Sequence, residues 1–293
     1  MNATEIYDGH IHTHGKRCDP PEVFLEKARS CGIAGGTIFS VHPANYRPFP
    51  DYDQRAESRI DWIVEYTSHT PGFIPYFFAD ISEPGALRHV EYARRAGIRG
   101  FKIICDDKYS VGDHLDVIEA MAETGLPVMF HSGIDSIPHL SSRNNRPVMF
   151  ECLMKVKGLK FSLAHVGWPW CDEFIGIFGK IEMARGDGNP GDFGEMFVDI
   201  TPGTPGIYRR EALRKLYMTG YDTPGHTFWG TDQILNDYSP ELTKRMLARD
   251  NQIIDEIERD YLRGDVVDPC WLPRLTNIRE PLFSGVWHRF NGL

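Results

Sequence analysis

The sequence has little of several features that define other classes of protein. Its 293 residues include only six cysteines, and no two of them form a C-x-x-C pair. A chain of this length buries about 75% of its unfolded surface, so it does not need disulfide bonds to be stable. Free, buried thiols in a reducing compartment are therefore expected, and we predict a cytoplasmic protein.

Basic residues and long apolar segments are also scarce. The chain has 32 Lys and Arg against 41 Asp and Glu, a formal net charge of −9. Nonspecific nucleic-acid binding needs a basic surface, so it is disfavoured. No apolar run approaches the roughly 18 residues of a membrane span, and the first residues do not resemble a secretory signal. A small-molecule partner is expected, and the sequence leaves homo-oligomers open.

Short apolar segments recur along the whole chain. They are rich in Ile, Val and Phe and more continuously apolar than alternating, as in parallel strands buried on both faces. The eight predicted strands are residues 5–12, 33–41, 73–81, 99–105, 127–131, 159–166, 195–200 and 227–231.

Segments of helical periodicity lie between these strands. The clearest are residues 20–31, 83–96, 113–124 and 239–263. Asp19 and Ser239 are predicted N-caps, and Gly97 is predicted to end the second helix. Eight alternating strand and helix units predict a parallel sheet, and their similar size favours a closed (β/α)₈ barrel over an open doubly wound sheet. We predict one domain, residues 1–293, with its core at about 5–263.

The last thirty residues, 264–293, have a different composition. They contain three prolines and a set of large apolar side chains, and we expect them to pack across the barrel or into a subunit contact. These side chains are Trp271, Leu272, Leu275, Leu282, Phe283, Trp287 and Phe290.

Side chains that bind metals or move protons stand at five of the eight predicted strand ends, where barrel enzymes carry their reactive groups. They are His10 and His12, Lys102, His131, His165 and Asp232. Residues i and i+2 of a strand point the same way, so His10 and His12 can share one ion. Imidazole and carboxylate ligands suit Zn²⁺, and Mn²⁺ or Fe²⁺ are also accepted. A His-x-His pair alone can arise by chance, but its combination with the other strand ends favours a metal site.

Four short motifs resemble the amidohydrolase superfamily, in particular the amidohydrolase-related ("amidohydrolase 2") group of metal-dependent hydrolases and decarboxylases. They are Asp-Gly-His10-Ile-His12, the strand-five His131, Ala-His165-Val-Gly and Gly-Thr-Asp232, and the resemblance spans about residues 5–235. It implies the (β/α)₈ fold. It also assigns His10, His12, His131 and Asp232 to a divalent metal, with His165 beside it as an acid–base or electrostatic group.

Lys102 decides between one metal and two. In binuclear relatives a carboxylated lysine on strand four bridges two ions, whereas other members carry a lysine there and bind one. Lys102 can also pair with a substrate carboxylate. We expect one ion, most simply Zn²⁺, and an unmodified, substrate-binding Lys102.

Other candidates for substrate binding are weaker. Arg143 lies in the loop after His131, where it could contact an anionic substrate. Trp168 follows His165 and could form a wall of the site. His42 lies just after the second strand. Asp199 ends the seventh, where hydrogen bonding within the loop is at least as good an explanation.

The expected reaction is attack by metal-activated water on a C–N or C–O bond of an amide, lactone or ester. Asp232 would accept the proton, and His165 or the metal would polarise the carbonyl. The alternative is decarboxylation or hydration of a small carboxylic acid on the same site. A nuclease or phosphoesterase is less favoured, because such enzymes usually place a glutamate at Lys102. A complete ligand set argues against a non-catalytic binding protein.

Overall fold

Strands and helices alternate along the computed structural model, which describes residues 4–15, 18–44, 46, 53–135, 138–263 and 277–293. The strands in these ranges are β1 (Ile6–His12), β2 (Ile33–Phe39), β3 (Phe73–Phe78), β4 (Gly100–Ile103), β5 (Val128–Phe130), β6 (Lys160–Leu163), β7 (Glu195–Asp199), β8 (Thr227–Phe228) and β9 (Gln233–Ile234). The α-helices are α1 (Pro21–Ser30), α2 (Ala56–Ser68), α3 (Ala86–Ala96), α4 (Leu115–Glu123), α5 (Cys171–Asp187), α6 (Gly206–Met218), α7 (Pro240–Leu262) and α8 (Val286–Asn291). No helix in these ranges is both long enough and apolar enough to cross a membrane.

The strands form one curled parallel sheet. Its order is β8-β7-β6-β5-β4-β3-β2-β1-β9, and four residues, 229–232, separate β8 from β9 in the chain. The backbone N–H of Gly9 donates to the carbonyl of Trp229 at 3.0 Å, and the backbone N–H of Asp232 donates to the carbonyl of His10 at 2.9 Å. Of the predicted eighth strand, residues 227–231, only Thr227–Phe228 form a strand, and a second short strand, β9, follows the predicted bounds. The break includes Asp232, whose φ of 57° is incompatible with an extended chain.

Both faces of the sheet are buried. On β7, Met196 and Val198 pack towards the surrounding helices, whereas Phe197 lies in a second cluster on the inner face. This inner core consists of Phe39, Tyr76, Met129, Phe197, Phe228, Val286, Trp287 and Phe290. Burial on two faces explains why the strands read as continuous apolar segments, and that prediction is confirmed.

The four helical segments delimited from the sequence correspond to α1, α3, α4 and α7. Ser239 caps α7 by accepting a hydrogen bond from the N–H of Leu242, and Gly97 ends α3 with a φ of 101°. The prediction for Asp19 was wrong. Pro20 occupies the cap position of α1 without a side-chain bond, and Asp19 pairs instead with Lys27 at 2.6 Å.

Helices α2, α5 and α6 were not delimited from the sequence. The buried faces of α2 and α6 include Arg59 and Arg209, which interrupt the apolar stripe. Both guanidinium groups donate to backbone carbonyls near strand ends, Arg59 to Phe78 and Arg209 to Ile200. A charged residue can therefore occupy a core position when carbonyl groups there accept its hydrogen bonds.

The C-terminal residues cover the amino end of the sheet. Trp287 stacks on Tyr7 with ring centroids 4.5 Å apart, and its indole N–H donates to the hydroxyl of Thr37 at 3.0 Å. Lys160, the first residue of β6, donates to the carbonyl of Arg289. Trp287 and Arg289 therefore pack against the sheet, as in one of the two arrangements expected for this segment. Trp271, Leu272 and Leu275 lie outside the described residues.

Replacing Trp287 with alanine should destabilise the fold without affecting the opposite, carboxyl end of the strands. Trp287 is 2% exposed, and truncation of such a side chain costs about 3–5 kcal/mol. Urea unfolding measures the loss. Leu262→Ala, at a side chain that is 79% exposed, is the control and should change the free energy of unfolding by less than about 0.5 kcal/mol. A loss below about 1 kcal/mol for Trp287→Ala would contradict a core role for this segment.

Candidate metal centre and active site

His10 and His12 lie at the carboxyl end of β1 with their Nε2 atoms 3.1 Å apart. Ile11 between them points outward into the core. The register of β1 against β2 shifts between Asp8 and Ile11, a bulge that changes which side chains face inward. Gly9 lies within this bulge, where an added Cβ would be 2.7 Å from the ring of Phe228. Glycine therefore allows β1 to approach β8.

Asp232 completes a three-residue cluster with this pair. Its Oδ1 lies 3.3 Å from Nε2 of His10 and 3.3 Å from Nε2 of His12. A tetrahedral Zn²⁺ with bonds of about 2.1 Å would separate its ligand atoms by roughly 3.4 Å. The spacing of these three atoms fits one divalent ion. The left-handed backbone at Asp232 turns its carboxylate towards β1.

His165 and His131 lie beside this cluster. His165 is close enough to His10 and Asp232 for ligand atoms of all three to lie within 4.8 Å of one another. Its ring centroid is 4.9 Å from that of His131, whose buried Nε2 has no hydrogen-bond partner among the described residues. A buried, unpartnered ring nitrogen is what a metal or a substrate would satisfy.

The electrostatics of the site favour neutral imidazoles. Burial lowers the pKa of His10, His131 and His165, and the nearby Lys102 lowers each further. Burial acts to raise the pKa of Asp232, but His10 and His12 outweigh it and hold that pKa well below its ordinary value. Neutral imidazoles and an ionised carboxylate are the protonation states that bind a cation.

Lys102 projects from β4 into the same cluster. Its Nζ lies 3.4 Å from Nε2 of His10 and 5.2 Å from the centre of the Phe39 ring. Burial lowers the pKa of Lys102 to about 8, although Asp199 and Asp232 act to raise it. A substantial ammonium fraction therefore remains at neutral pH, close to the histidines.

Asp199 has a larger role than the sequence indicated. Its Oδ2 lies 2.5 Å from Nδ1 of His10, and neither side chain is exposed. A carboxylate can only accept, so Nδ1 of His10 carries the proton and Nε2 presents its lone pair to His12 and Asp232. The one sequence signal was the position of Asp199 at the end of the seventh strand.

His12, Lys102, His131, His165 and Asp232 line a cavity of about 390 Å³. The rest of its lining includes polar, aromatic and aliphatic side chains. The lining residues are His12, Thr13, His14, His42, Tyr46, Phe78, Lys102, Ile104, His131, Ile134, Asp135, His165, Pro202, Gly203, Asp232 and Ile234. His42, a weaker candidate from the sequence, is among them, whereas the contributions of His14, Tyr46 and Asp135 were missed.

The structure does not bring Arg143 or Trp168 into this cavity. Arg143 is exposed at the end of the 3₁₀ turn Ser141–Arg143. Trp168 lines a neighbouring groove of about 380 Å³, where its ring stacks on that of Tyr208. Their predicted contact with substrate is therefore not supported by their positions.

A buried carboxyl group lies beside one that lines the cavity. Asp106 follows β4, is 1% exposed and has a φ of 47°. Its side chain accepts a bond from the amide of Asn145 at 2.5 Å and lies near Asp135, which lines the cavity. Burial, together with the charge of Asp135, raises the pKa of Asp106 to about 8, so Asp106 holds a proton at neutral pH.

The sheet is parallel and curled, and a cluster of histidine, aspartate and lysine side chains lies at the carboxyl ends of its strands. This combination defines an enzyme of the α/β class. The Amidohydrolase family model matches residues 10–246, a span that contains every member of the cluster. The chain belongs to the amidohydrolase family, as the resemblance of its motifs predicted.

Two solved structures have a similar fold. A dihydroorotase from Campylobacter jejuni has 13% sequence identity and a TM-score of 0.53, over 100% of this chain and 84% of that one. An amidohydrolase II has 14% identity and a TM-score of 0.52, over 98% of this chain and 100% of that one. No curated protein matches the sequence.

The substitution Asp106→Asn should stabilise the protein at pH 8. The folded protein holds a proton on Asp106 at pH values where the unfolded chain has lost it, so the wild type loses stability as pH rises above about 4. Asparagine tolerates the left-handed backbone and can donate to Asp135 without that proton. We expect a gain of about 1 kcal/mol at pH 8 that disappears towards pH 4.

Urea unfolding across this pH range measures the effect. Asp116→Asn, at an exposed position of α4, is the control and should show no gain that grows with pH. An Asp106→Asn variant less stable than the wild type at pH 8 would mean that the carboxyl pair is not protonated as described.

Proposed function

We propose that this chain is a metal-dependent hydrolase that breaks a C–N or C–O bond, as in an amide, lactone or ester, of a small molecule. The observation that carries the proposal is the convergence of Nε2 of His10, Nε2 of His12 and Oδ1 of Asp232 within 3.1–3.3 Å of one another. Membership of the amidohydrolase family supports the same reaction class.

The fold that we propose for this enzyme is a single closed (β/α)₈ barrel over residues 1–293, with a C-terminal segment that closes its amino end. The hydrogen bond from the N–H of Gly9 in β1 to the carbonyl of Trp229, just after β8, supports closure, with β8 and β9 together forming the eighth strand. The position of α8 beneath the inner core supports the role of the segment. In such a barrel the cluster lies at the end where active sites occur.

His10, His12 and Asp232 would hold the ion, with His131 as a further ligand. A bound divalent ion, most simply Zn²⁺, would supply a Lewis acid and make hydroxide available near neutral pH. The unpartnered Nε2 of His131 supports its inclusion. Mn²⁺ and Fe²⁺ accept the same ligands.

The side chains around the ion would carry out the proton transfers. Asp232 is ionised and partly exposed to the cavity, so it can accept a proton from water and pass it to the leaving atom. His165 is neutral and buried beside Asp232, where it can stabilise charge on the attacked carbonyl oxygen. The side chain of Lys102 can position a polar group of the substrate in the cavity.

A lyase is the second candidate, and the position of Lys102 favours it. A partly charged ammonium beside the histidines fits a substrate carboxylate. In that reaction the substrate would be a small carboxylic acid that is decarboxylated or hydrated, and His165 would move the proton.

Replacing Asp232 with asparagine should reduce turnover at least about a thousandfold while leaving the fold intact. Asparagine accepts the left-handed backbone at this position, but its amide is a poor base and a weak ligand. Turnover is measured on a panel of amides, lactones, esters and small carboxylic acids, with release of CO₂ followed in parallel. Full activity in the variant would contradict the role of Asp232.

The same panel separates the two candidate reactions. Exposed Asp187→Asn, at the end of α5, is the control variant and should retain wild-type turnover. Cleavage of an amide, lactone or ester without CO₂ release supports the hydrolase, whereas release of CO₂, or hydration of an unsaturated acid, supports the lyase.

Purified protein should contain one divalent ion per chain, and Lys102 should remain unmodified. A persistent ammonium at Lys102 disfavours carboxylation, which requires the neutral amine. Elemental analysis gives the ratio of metal to protein, and ¹³C NMR after incubation with ¹³C-bicarbonate detects a lysine carbamate. Two ions per chain together with a carbamate signal would contradict the single-ion site. The Lys102→Met variant is the control for that signal.

A further inference from the structure

Two residues at and just after the end of β7 contact two different histidines of the site. Oδ2 of Asp199 lies 2.5 Å from Nδ1 of His10, and Oγ1 of Thr201 lies 2.9 Å from Nδ1 of His165. The N–H of Thr201 also donates to Oδ1 of Asp199 at 2.8 Å. Both residues are fully buried, so water does not compete for these bonds.

The alternation of an extended strand explains why both side chains point inward. Phe197 lies in the inner core, and Asp199 and Thr201 follow it at intervals of two residues. Ile200 between them packs outward against the helices. The rule that lets His10 and His12 share one side of β1 therefore places Asp199 and Thr201 on one side of this segment.

Asp199 determines which nitrogen of His10 carries the proton. Its carboxylate accepts from Nδ1–H, which leaves the lone pair of Nε2 directed at His12 and Asp232. An acceptor behind a metal-binding histidine also increases the basicity of the ligand atom. The bond between Thr201 N–H and the other carboxylate oxygen keeps Asp199 in this orientation.

The segment after Asp199 also holds His165, whose backbone is in an unfavourable conformation. His165 has a φ of 62° and the following Val166 a φ of 51°, which is strained for a β-branched residue. The hydroxyl of Thr204 donates to the carbonyl of His165 at 3.1 Å. A Cβ on Gly203 would lie 2.4 Å from Cγ of the His165 ring, so glycine makes room for that ring.

We propose that Asp199 and Thr201 are the positioning residues of the site, Asp199 orienting His10 towards a metal ion and Thr201 orienting His165 towards the substrate. This inference rests on the proposed metal-dependent function. In this proposal β7 orients the ligands without providing one, since none of its described residues belongs to the group that could hold the ion.

The two residues should differ in what they control. Asp199→Asn should weaken Zn²⁺ binding about 10–100-fold. Its amide cannot accept from both His10 Nδ1–H and Thr201 N–H, so the His10 ring can adopt the other tautomer. Thr201→Val keeps the shape of threonine but loses the hydroxyl. It should leave Zn²⁺ affinity within about twofold and lower kcat about tenfold or more, and Thr201→Ser should restore kcat.

The experiment measures Zn²⁺ affinity by competition with a chromophoric chelator for the wild type and each variant. Glu195→Gln, at the opposite end of the same strand, is the matched control and should bind Zn²⁺ as the wild type does. The kcat of the Thr201 variants is measured on a substrate that the wild-type protein turns over. Unchanged affinity in Asp199→Asn, or equal kcat in Thr201→Val and Thr201→Ser, would overturn the corresponding half of the proposal.

Histidine tautomers provide a test that does not depend on metal or activity. In metal-free wild type, ¹⁵N NMR of the His10 ring, assigned with a His10→Gln variant, should show the proton on Nδ1. A proton on Nε2 would overturn the role of Asp199 even if Asp199→Asn does not fold. If the wild type bound no Zn²⁺ but carried the proton on Nδ1, the proposed function would fail while the orientation of His10 by Asp199 would stand.

Discussion

The buried carboxylate of Asp8 joins the two parts of the chain that carry the proposed metal ligands. It accepts four hydrogen bonds, from the N–H of His10, from the N–H and hydroxyl of Thr231, and from the hydroxyl of Tyr238. Thr231 precedes Asp232, so one carboxylate connects the strand that carries His10 and His12 to the segment that carries Asp232. Burial raises the pKa of Asp8 to about 6 despite these bonds. The geometry of the cluster therefore depends on an interaction outside the cluster.

The core of the site could be predicted because it follows a local rule. Residues i and i+2 of a strand share a side, which places His10 beside His12, and their Nε2 atoms are 3.1 Å apart. The predicted barrel places Asp232, which follows the eighth strand, at the same end of the sheet as these histidines. The metal itself, and the role of His131 as a ligand, remain predictions.

The pairing of His10 with Asp199 had no comparable signal, because it joins residues 189 positions apart in the chain. Arg143 and Trp168 were assigned from their proximity in sequence to His131 and His165. In the structure neither side chain lines the cavity, since Arg143 is exposed and Trp168 lines a neighbouring groove. Sequence proximity to a strand end is therefore weaker information than the direction in which a strand residue points.

The fold was predictable to the extent that burial leaves a periodic pattern. Strands buried on two faces are continuously apolar, and helices such as α3 present a regular apolar stripe. Helices α2 and α6 lack such a stripe because Arg59 and Arg209 occupy buried positions. The break between β8 and β9 depends on the left-handed backbone of Asp232, which no pattern of apolar residues reveals.

The proposed metal centre requires that His10, His12 and Asp232 together bind one divalent ion. Anomalous X-ray diffraction at the zinc absorption edge, from crystals of the protein grown with Zn²⁺, locates any bound zinc. We expect a strong anomalous peak within bonding distance of Nε2 of His10, Nε2 of His12 and a carboxylate oxygen of Asp232. A zinc-loaded crystal with no peak at these atoms, or with its peaks only elsewhere on the chain, would contradict it.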